Sequence, residues 1–151
     1  MGNKAILYTR VSTVEQAKGG VSLDAQEERL RSYCLMAGLD VVGVVREEGI
    51  SGSKPLASRP GGQRLLQTLA KKEAQHVVAL KLDRLFRDAV DALDQTRAWD
   101  RAGVALHLVD MGGQTLNTAS AMGRFFLSVM AAFAELERNL ISERTAQALS
   151  H

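Results

Sequence analysis

The sequence predicts an α/β fold in which a mostly parallel sheet is flanked by helices and is followed by one long C-terminal helix. Short apolar segments that suit buried strands recur up to about residue 109, and segments with helical spacing separate them. A continuous apolar stripe over residues 120–148 predicts the long helix. Because strands and helices alternate, we expect a Rossmann-like sheet that is largely parallel.

The first predicted strand is the short apolar run at residues 4–8, and the second is the valine-rich segment 40–46. Between them, apolar residues at helical spacing predict a helix over 24–39, which Gly38 ends. Glycines, serines and two prolines predict a loop at 48–60. The remaining predicted elements are a helix at 62–72, a strand at 76–80, a helix at 88–101, a strand at 104–109 and a helix at 120–148.

The composition is that of one domain with one core, since 46% of the 151 residues are hydrophobic and 24% are charged. We divide it into an α/β core, residues 1–119, and the C-terminal helix, 120–151. The formal net charge of +2 is too small to indicate a nucleic-acid partner, so such an argument depends on where the arginines lie. The single cysteine, Cys34, cannot form an internal disulfide, and we interpret it as a buried thiol.

Neither apolar stretch that could direct the chain to a membrane is long enough. The N-terminal run is too short for a signal peptide, and residues 125–133 are too short to span a bilayer. We therefore expect a cytoplasmic protein without a membrane partner.

The long helix would measure roughly 40 Å at 1.5 Å per residue, which is longer than a small domain is wide. Its first half can cover the sheet, and its far half needs another partner, most simply a second copy of the chain. The alternative is a long core helix, which is the commoner context of an apolar stripe. The stripe consists of Met122, Phe125, Phe126, Val129, Met130, Phe133, Leu136, Leu140 and Ile141.

Arg10 and Ser12 follow the first strand and are two residues apart, so they can point the same way. In open α/β sheets, sites form outside the carboxyl ends of the strands. A guanidinium beside a hydroxyl at that edge suits an anionic substrate, with the serine as nucleophile. Alternatively, Ser12 is only a turn residue or a helix cap.

A second charged cluster, at residues 81–88, directly follows the third strand. Arg84 and Arg87 are three residues apart, so in a helical turn they would share a face. Since they leave another strand's carboxyl end, they can converge on the same sheet edge as Ser12. The alternative is a solvated helix start with Asp83 as its N-cap. Arg59 belongs to the site only if its loop folds over the sheet edge, and Arg64 is expected at the surface.

Several other chemistries lack their residues. A hydrolase triad needs a histidine near the serine, but His76 and His107 lie within or at the start of strands. No zinc motif or nucleotide-binding P-loop occurs, and adjacent Glu47 and Glu48 on a strand would face opposite ways. We therefore expect phosphoryl transfer by arginines without metal or cofactor.

The motifs together resemble those of serine recombinases, the family of resolvases, invertases and serine integrases, and they cover nearly all of the chain in order. The connection at 14–21, with Gly19 and Gly20, is longer than in the smaller resolvases and is similar to that of larger or transposon-associated members. The matching motifs are Tyr8-x-Arg10-Val11-Ser12, Gln16, Ser22-Leu23-Asp24-x-Gln26, Ser51-Gly52, Arg59-Pro60-Gly61, Lys81-Leu82-Asp83-Arg84-Leu85-x-Arg87 and Glu135-x-Glu137-Arg138-x-x-Ile141-x-Glu143-Arg144.

This resemblance implies that Ser12 attacks a DNA phosphodiester and forms a 5′-phosphoserine without metal or ATP. From the excess apolar face of the long helix, we predict that this helix mediates a dimer and that synapsis of two sites needs a tetramer. Family members continue into a separate DNA-binding domain, which we expect to be absent from this chain, so its own DNA binding should be weak and non-specific. The residues implied at the site are Arg10, Arg59, Asp83, Arg84 and Arg87 around Ser12, with Arg144, Gln16 and Gln26 at the DNA.

Two alternatives remain open from the sequence. One is a non-enzymatic, dimeric α/β module that binds phosphate or nucleic acid for regulation. The other is a phosphoryl-transfer enzyme acting on a small phosphorylated substrate, which would have no need of the long helix.

Overall fold

The computed structural model describes residues 2–17, 19–111 and 114–149. Within these ranges, five strands form one sheet in the order β2-β1-β3-β4-β5. The strands are β1 Lys4–Val11, β2 Asp40–Glu48, β3 His76–Ala79, β4 Ala105–Met111 and β5 Gln114–Asn117. The helices are α1 Thr13–Ala17, α2 Leu23–Ala37, α3 Pro60–Ala70, α4 Leu82–Leu85, α5 Ala89–Arg101 and α6 Ala121–Leu149, with a 3₁₀ turn at Leu56–Ser58.

The sheet is mostly parallel, as the sequence predicts. Strand β1 pairs in parallel with β2 on one side and with β3 on the other, and β4 continues the parallel set. Strand β5, which the sequence analysis missed, pairs antiparallel with β4. Because the chain leaves β1 toward β2 and then returns to β3, the carboxyl ends of β1 and β3 flank a topological switch point, where α/β folds form their binding crevices.

Alternate residues of β1 pack on opposite faces of the sheet, so its continuous apolar run is buried on both. Ala5 and Leu7 contact the cluster that α2 covers with Leu30 and Cys34, which confirms the buried thiol. The other face packs against α3 and α5. Helix α2 ends at Gly38, where a φ of 71° places the residue in the left-handed region and its N–H binds a carbonyl of the last turn.

Several elements differ from their predicted bounds. Strands β1 and β2 run three and two residues beyond their expected ends, to Val11 and Glu48. The expected loop at 48–60 contains the 3₁₀ turn, and α3 begins at Pro60 rather than at residue 62. Pro60 suits the first position of α3 because the N–H that proline lacks would have no partner there. Helix α1 lies in the segment that we expected to be a connection.

Helix α6 begins close against the core and then leaves it. Gly123 approaches β5 so closely that a Cβ there would overlap the carbonyl oxygen of Asn117, and Met130 packs against the main apolar cluster. Along its length α6 nevertheless exposes large apolar side chains. These side chains are Met122, Phe125, Val129, Phe133, Leu136, Leu140 and Ile141. Within the described ranges, no helix combines the length and the hydropathy that a membrane span requires.

The two histidines of the sheet form a hydrogen-bonded chain. His76 Nε2 lies 2.9 Å from the Gly2 carbonyl oxygen, which can only accept, so this nitrogen donates. In neutral rings, His107 Nε2 must then donate to His76 Nδ1 at 2.9 Å, and the Tyr33 hydroxyl donates to His107 Nδ1 at 2.6 Å. Burial, and to a smaller extent the neighbouring His76, lowers the pKa of His107 to about 4.

Candidate active site

Ser12 lies directly after β1 and caps α1. Its Oγ accepts the backbone N–H of Glu15 at 3.1 Å, and its own N–H donates to Glu15 Oε1, also at 3.1 Å. This reciprocal pair is a capping box, which the Ser-x-x-Glu spacing specifies. Ser12 also lines a cleft of about 260 Å³. The cap interpretation and the site interpretation of Ser12 are therefore compatible. The cleft is lined by Arg10, Ser12, Thr13, Val14, Glu15, Gly49, Ser51 and Gly52.

Arg10 extends from β1 toward the turn that follows β3. Its Nη2 donates to the Asp83 carbonyl at 2.8 Å, its Nε to the Arg84 carbonyl at 3.1 Å, and its Nη1 to the Ile50 carbonyl at 2.9 Å. Only 4% of the side chain is exposed. Burial lowers the pKa of Arg10, and the positive charges of Arg84 and Arg59 lower it further. Most of the N–H donors of Arg10 therefore bind backbone carbonyls of other segments.

Arg59 is fully buried, at 0% exposure, although it lies in a loop segment. Its guanidinium donates to the Arg84 carbonyl at 2.7 Å, to the Tyr8 hydroxyl at 3.0 Å and to two carbonyls of its own loop. The sequence analysis placed Arg59 at the site only if its loop folds over the sheet edge, and the loop does so. Arg64 is exposed, as expected.

Asp83 and Arg84 belong to α4, the short turn of helix after β3. Arg84 Nη1 contacts Glu15 Oε2 at 2.6 Å and donates to the Arg10 carbonyl at 2.8 Å, while its Nε contacts Asp83 Oδ1 at 3.0 Å. Burial alone would lower the pKa of Arg84, but the hydrogen bond with Glu15 and the charge of Asp83 raise it above its usual value. Asp83 does not cap the helix, since Lys81 holds the N-cap position.

The expected shared face of Arg84 and Arg87 is wrong. Helix α4 ends at Leu85, and Phe86 is extended, so the helical spacing does not continue to Arg87. Arg87 instead faces Asp91, with its Nε 3.8 Å from the carboxylate and its backbone N–H donating to that group at 3.0 Å.

The two glutamines have different surroundings. Gln26 is fully buried and binds the backbone of Arg10 on both sides, accepting its N–H at 3.3 Å and donating to its carbonyl at 3.0 Å. It therefore fixes the end of β1 against α2. Gln16 is exposed on α1 and donates to Glu48 Oε1 at 2.8 Å. Arg144 is exposed on the far half of α6. The main contacts of that helix are with α5 and β5.

Three side chains that contact the candidate site residues were not predicted as part of the site: Tyr8, Glu15 and Glu47. The hydroxyl of Tyr8 donates to the buried Glu47 carboxylate at 3.1 Å and accepts from Arg59, so it links a buried anion to a buried cation. Burial raises the pKa of Tyr8 and keeps this hydroxyl protonated. The expected alternation on β2 is confirmed, since Glu47 is buried and Glu48 is exposed. The capping-box spacing was visible in the sequence and would have found Glu15.

Two glycines allow α3 to approach this network. Gly62 donates its N–H to Glu47 Oε1 at 2.7 Å, and a Cβ at this position would overlap the carbonyl oxygen of Leu56. A Cβ at Gly61 would lie 2.7 Å from the Glu47 carboxylate carbon. Among the described residues, His, Cys, Asp and Glu side chains form no group of three or more that could hold a metal ion.

Comparison with known proteins gives one consistent result. The family model "Resolvase, N terminal domain" matches residues 5–151. DNA-invertase Hin of Salmonella typhimurium is 37% identical over 143 residues, which are 95% of this chain and 65% of that protein. Serine recombinase PinR of Escherichia coli is 32% identical over 144 residues, 95% of this chain and 67% of that protein. The chain thus spans about two thirds of the length of these curated relatives.

Two solved structures with a similar fold come from the same family of proteins. The N-terminal catalytic domain of TP901-1 integrase matches with a TM-score of 0.77 at 36% identity, covering 91% of this chain and 98% of that domain. A resolvase family site-specific recombinase from Streptococcus pneumoniae also matches with a TM-score of 0.77, at 28% identity, over 96% of this chain and 94% of that one.

Proposed function

Because this chain belongs to the family of resolvase N-terminal domains, we propose that it is the catalytic domain of a site-specific DNA recombinase with Ser12 as its nucleophile. The observation that carries the proposal is the position of Ser12. It lies at the carboxyl end of β1, at the switch point of the sheet, in a cleft that it shares with Arg10. Arg84 reaches the same place from the end of β3.

In this reaction Ser12 Oγ attacks the phosphorus of a DNA phosphodiester. The bond from phosphorus to the serine oxygen forms as the bond to the 3′ oxygen breaks, which leaves a 5′-phosphoserine and a 3′-hydroxyl. The serine proton passes to a base, and the departing 3′ oxygen takes up a proton. Attack by a 3′-hydroxyl reverses the step. One phosphate ester replaces another throughout, so rejoining needs neither ATP nor another cofactor.

The arginines divide into two roles in this proposal. Arg84 binds the phosphate, because its guanidinium already holds an anionic group beside Ser12. Guanidinium groups match phosphate oxygens well, and loss of one preorganised donor typically costs about 10²–10³ in rate. Arg10 and Arg59 act mainly as positioning residues, because both donate to the Arg84 carbonyl and so fix the turn that carries Arg84.

The remaining site residues have more distant positions. We assign Asp83, which is exposed beside Arg84, to proton transfer or to orientation of that arginine. Arg87 and Arg144 are assigned to DNA phosphates outside the Ser12 cleft, and Gln16 to the rim of that cleft. Gln26 acts through the backbone of β1.

The partners in this proposal are double-stranded DNA and further copies of the chain, and the protein acts in the cytoplasm with its DNA. The exposed apolar side chains of α6 favour a homodimer, because a stripe of this length in water favours association. We propose that two dimers form the tetramer of synapsis. Measurement of the mass in solution at micromolar concentration tests the dimer, and a strictly monomeric chain would contradict it.

The decisive experiment is a covalent trap. The chain is fused to a DNA-binding module of known site and given nicked or mismatched substrate in EDTA. Denaturing gels and peptide mass spectrometry then locate any attached DNA. We expect an adduct on Ser12 that disappears in Ser12→Ala.

The structure offers a matched control, because Ser22 caps α2 as Ser12 caps α1, accepting the N–H of Ala25 at 3.0 Å. Ser22→Ala removes the same atom and the same kind of cap, and it should retain the adduct. Full adduct formation in Ser12→Ala, or cleavage that EDTA abolishes, would refute the mechanism. DNA binding by a folded dimer without any adduct would favour the non-enzymatic regulatory module.

A further inference from the structure

The Glu15 carboxylate contacts two arginines, Arg84 and Arg10, beside the end of β1. Its Oε2 lies 2.6 Å from Arg84 Nη1. Its Oε1 accepts the Ser12 N–H at 3.1 Å and lies 3.6 Å from Arg10 Nη1. Burial would raise the pKa of Glu15, but hydrogen bonds from Arg84 and from the Ser12 backbone lower it below its usual value. The side chain is therefore an anion under ordinary conditions.

These contacts are the ones that a phosphate beside Ser12 would use. Arg10 and Arg59 direct most of their donors to backbone carbonyls, so the donors that remain for an anion are concentrated around Glu15. An incoming phosphate and the carboxylate carry the same charge and need the same partners, and both cannot be bound there at once. Ser12 Oγ is also engaged, since it accepts the Glu15 N–H at 3.1 Å.

We propose that Glu15 is a resident counter-ion of this site: its carboxylate occupies the phosphate position, and a DNA phosphodiester must displace it to reach Ser12 and Arg84. The inference rests on the proposed function, because it takes the competing anion to be the phosphate of DNA. In the free protein the carboxylate keeps the guanidinium of Arg84 in place. It also makes the site selective, because an isolated phosphate gains little by replacing an anion that is already well bound.

A capping role alone would be a different account of the same contacts. Glutamine at the third helical position completes a capping box as glutamate does, so Glu15→Gln keeps the cap and removes only the charge. Glu15→Ala removes both the charge and the cap acceptor. If charge matters, the two variants should behave alike toward phosphate; if the cap matters, only the alanine variant should differ from the unmodified protein.

The test is a titration of the intact chain with inorganic phosphate at constant ionic strength. Binding is followed by NMR at the Ser12 backbone amide and the Arg84 Nε–H. Removing a like charge a few ångströms from the anion should tighten phosphate binding by about tenfold in Glu15→Gln and in Glu15→Ala. The matched control is Glu73→Gln, which removes the same charge from an exposed residue before β3, at the opposite edge of the sheet.

The proposal is overturned if Glu15→Gln binds phosphate no more tightly than the unmodified chain, or if Glu73→Gln gains as much, since the gain would then follow net charge. It is also overturned if phosphate shifts neither signal in any variant. The covalent trap separates this result from the proposed function. An adduct on Ser12 with unchanged phosphate affinity in Glu15→Gln rejects the counter-ion alone. Tighter phosphate binding in that variant without any adduct rejects the recombinase chemistry alone.

Discussion

Protonation of His107 should destabilise the fold between pH 6.5 and pH 4. The ring is buried, and its pKa of about 4 in the folded chain lies below the 6.5 of an exposed histidine. A pKa that is lowered on folding gives stability that is complete above the unfolded value and is lost as the pH falls, because only the unfolded chain then takes up the proton. The loss should reach about 2 kcal/mol by pH 5 and about 3 kcal/mol by pH 4.

The assay is urea unfolding at a series of pH values, read by fluorescence. The chain has a single tryptophan, Trp99, which is buried against Phe86 with ring centroids 5.7 Å apart, so its emission reports the core. Carboxylates with lowered pKa, such as Glu15, also lose stabilising charge toward pH 4, so the informative quantity is the difference between the unmodified chain and His107→Gln.

Glutamine can accept from Tyr33 and donate to His76, as the neutral ring does, but it does not titrate. The free energies of unfolding should therefore converge as the pH falls from 7 to 4, with the unmodified chain losing the greater share. Parallel curves for the two proteins over that range would refute the reasoning.

Gly62→Ala should lower the free energy of unfolding, measured in urea, by about 2 kcal/mol, because the new methyl group would overlap backbone atoms. Gly43→Ala is the control and should change this free energy little, because its methyl group would meet only side-chain atoms at 3.9 Å or more. Tyr8→Phe should cost about 1–3 kcal/mol in the same assay, because it removes the hydroxyl between a buried carboxylate and a buried guanidinium, and an unchanged midpoint would contradict this. If the chain forms the proposed dimer through α6, Phe133→Asp should convert it to a monomer in light scattering, while Asn139→Asp, which adds the same charge beside the apolar stripe, should not.

The parts of the fold that the sequence predicted depend on local pattern. The apolar run of β1 and the valines of β2 indicate strands by themselves, and Gly38 marks the end of α2 because few other residues adopt its backbone angle. Strand β5 has no such pattern. Its pairing with β4 depends on the tertiary context, so sequence reasoning missed it.

The candidate site was predicted as a set of residue types, and the partners of those residues were not. Sequence shows that Arg59 is charged, but only the folded loop turns its guanidinium inward to carbonyls and the Tyr8 hydroxyl. The helical face expected for Arg87 failed because the extended Phe86 interrupts the helix, and nothing in the local pattern indicates that break.

The Arg84 carbonyl accepts hydrogen bonds from two arginines that lie 74 and 25 residues away along the chain. Closing such contacts is slow and occurs only when distant segments have already met. The Ser12 cleft therefore does not exist in a nascent or partly unfolded chain, even where β1 and α1 have formed locally. Under the proposed function, Ser12 can therefore attack DNA only after the surrounding sheet is complete, and loss of the fold should abolish cleavage together with the structure.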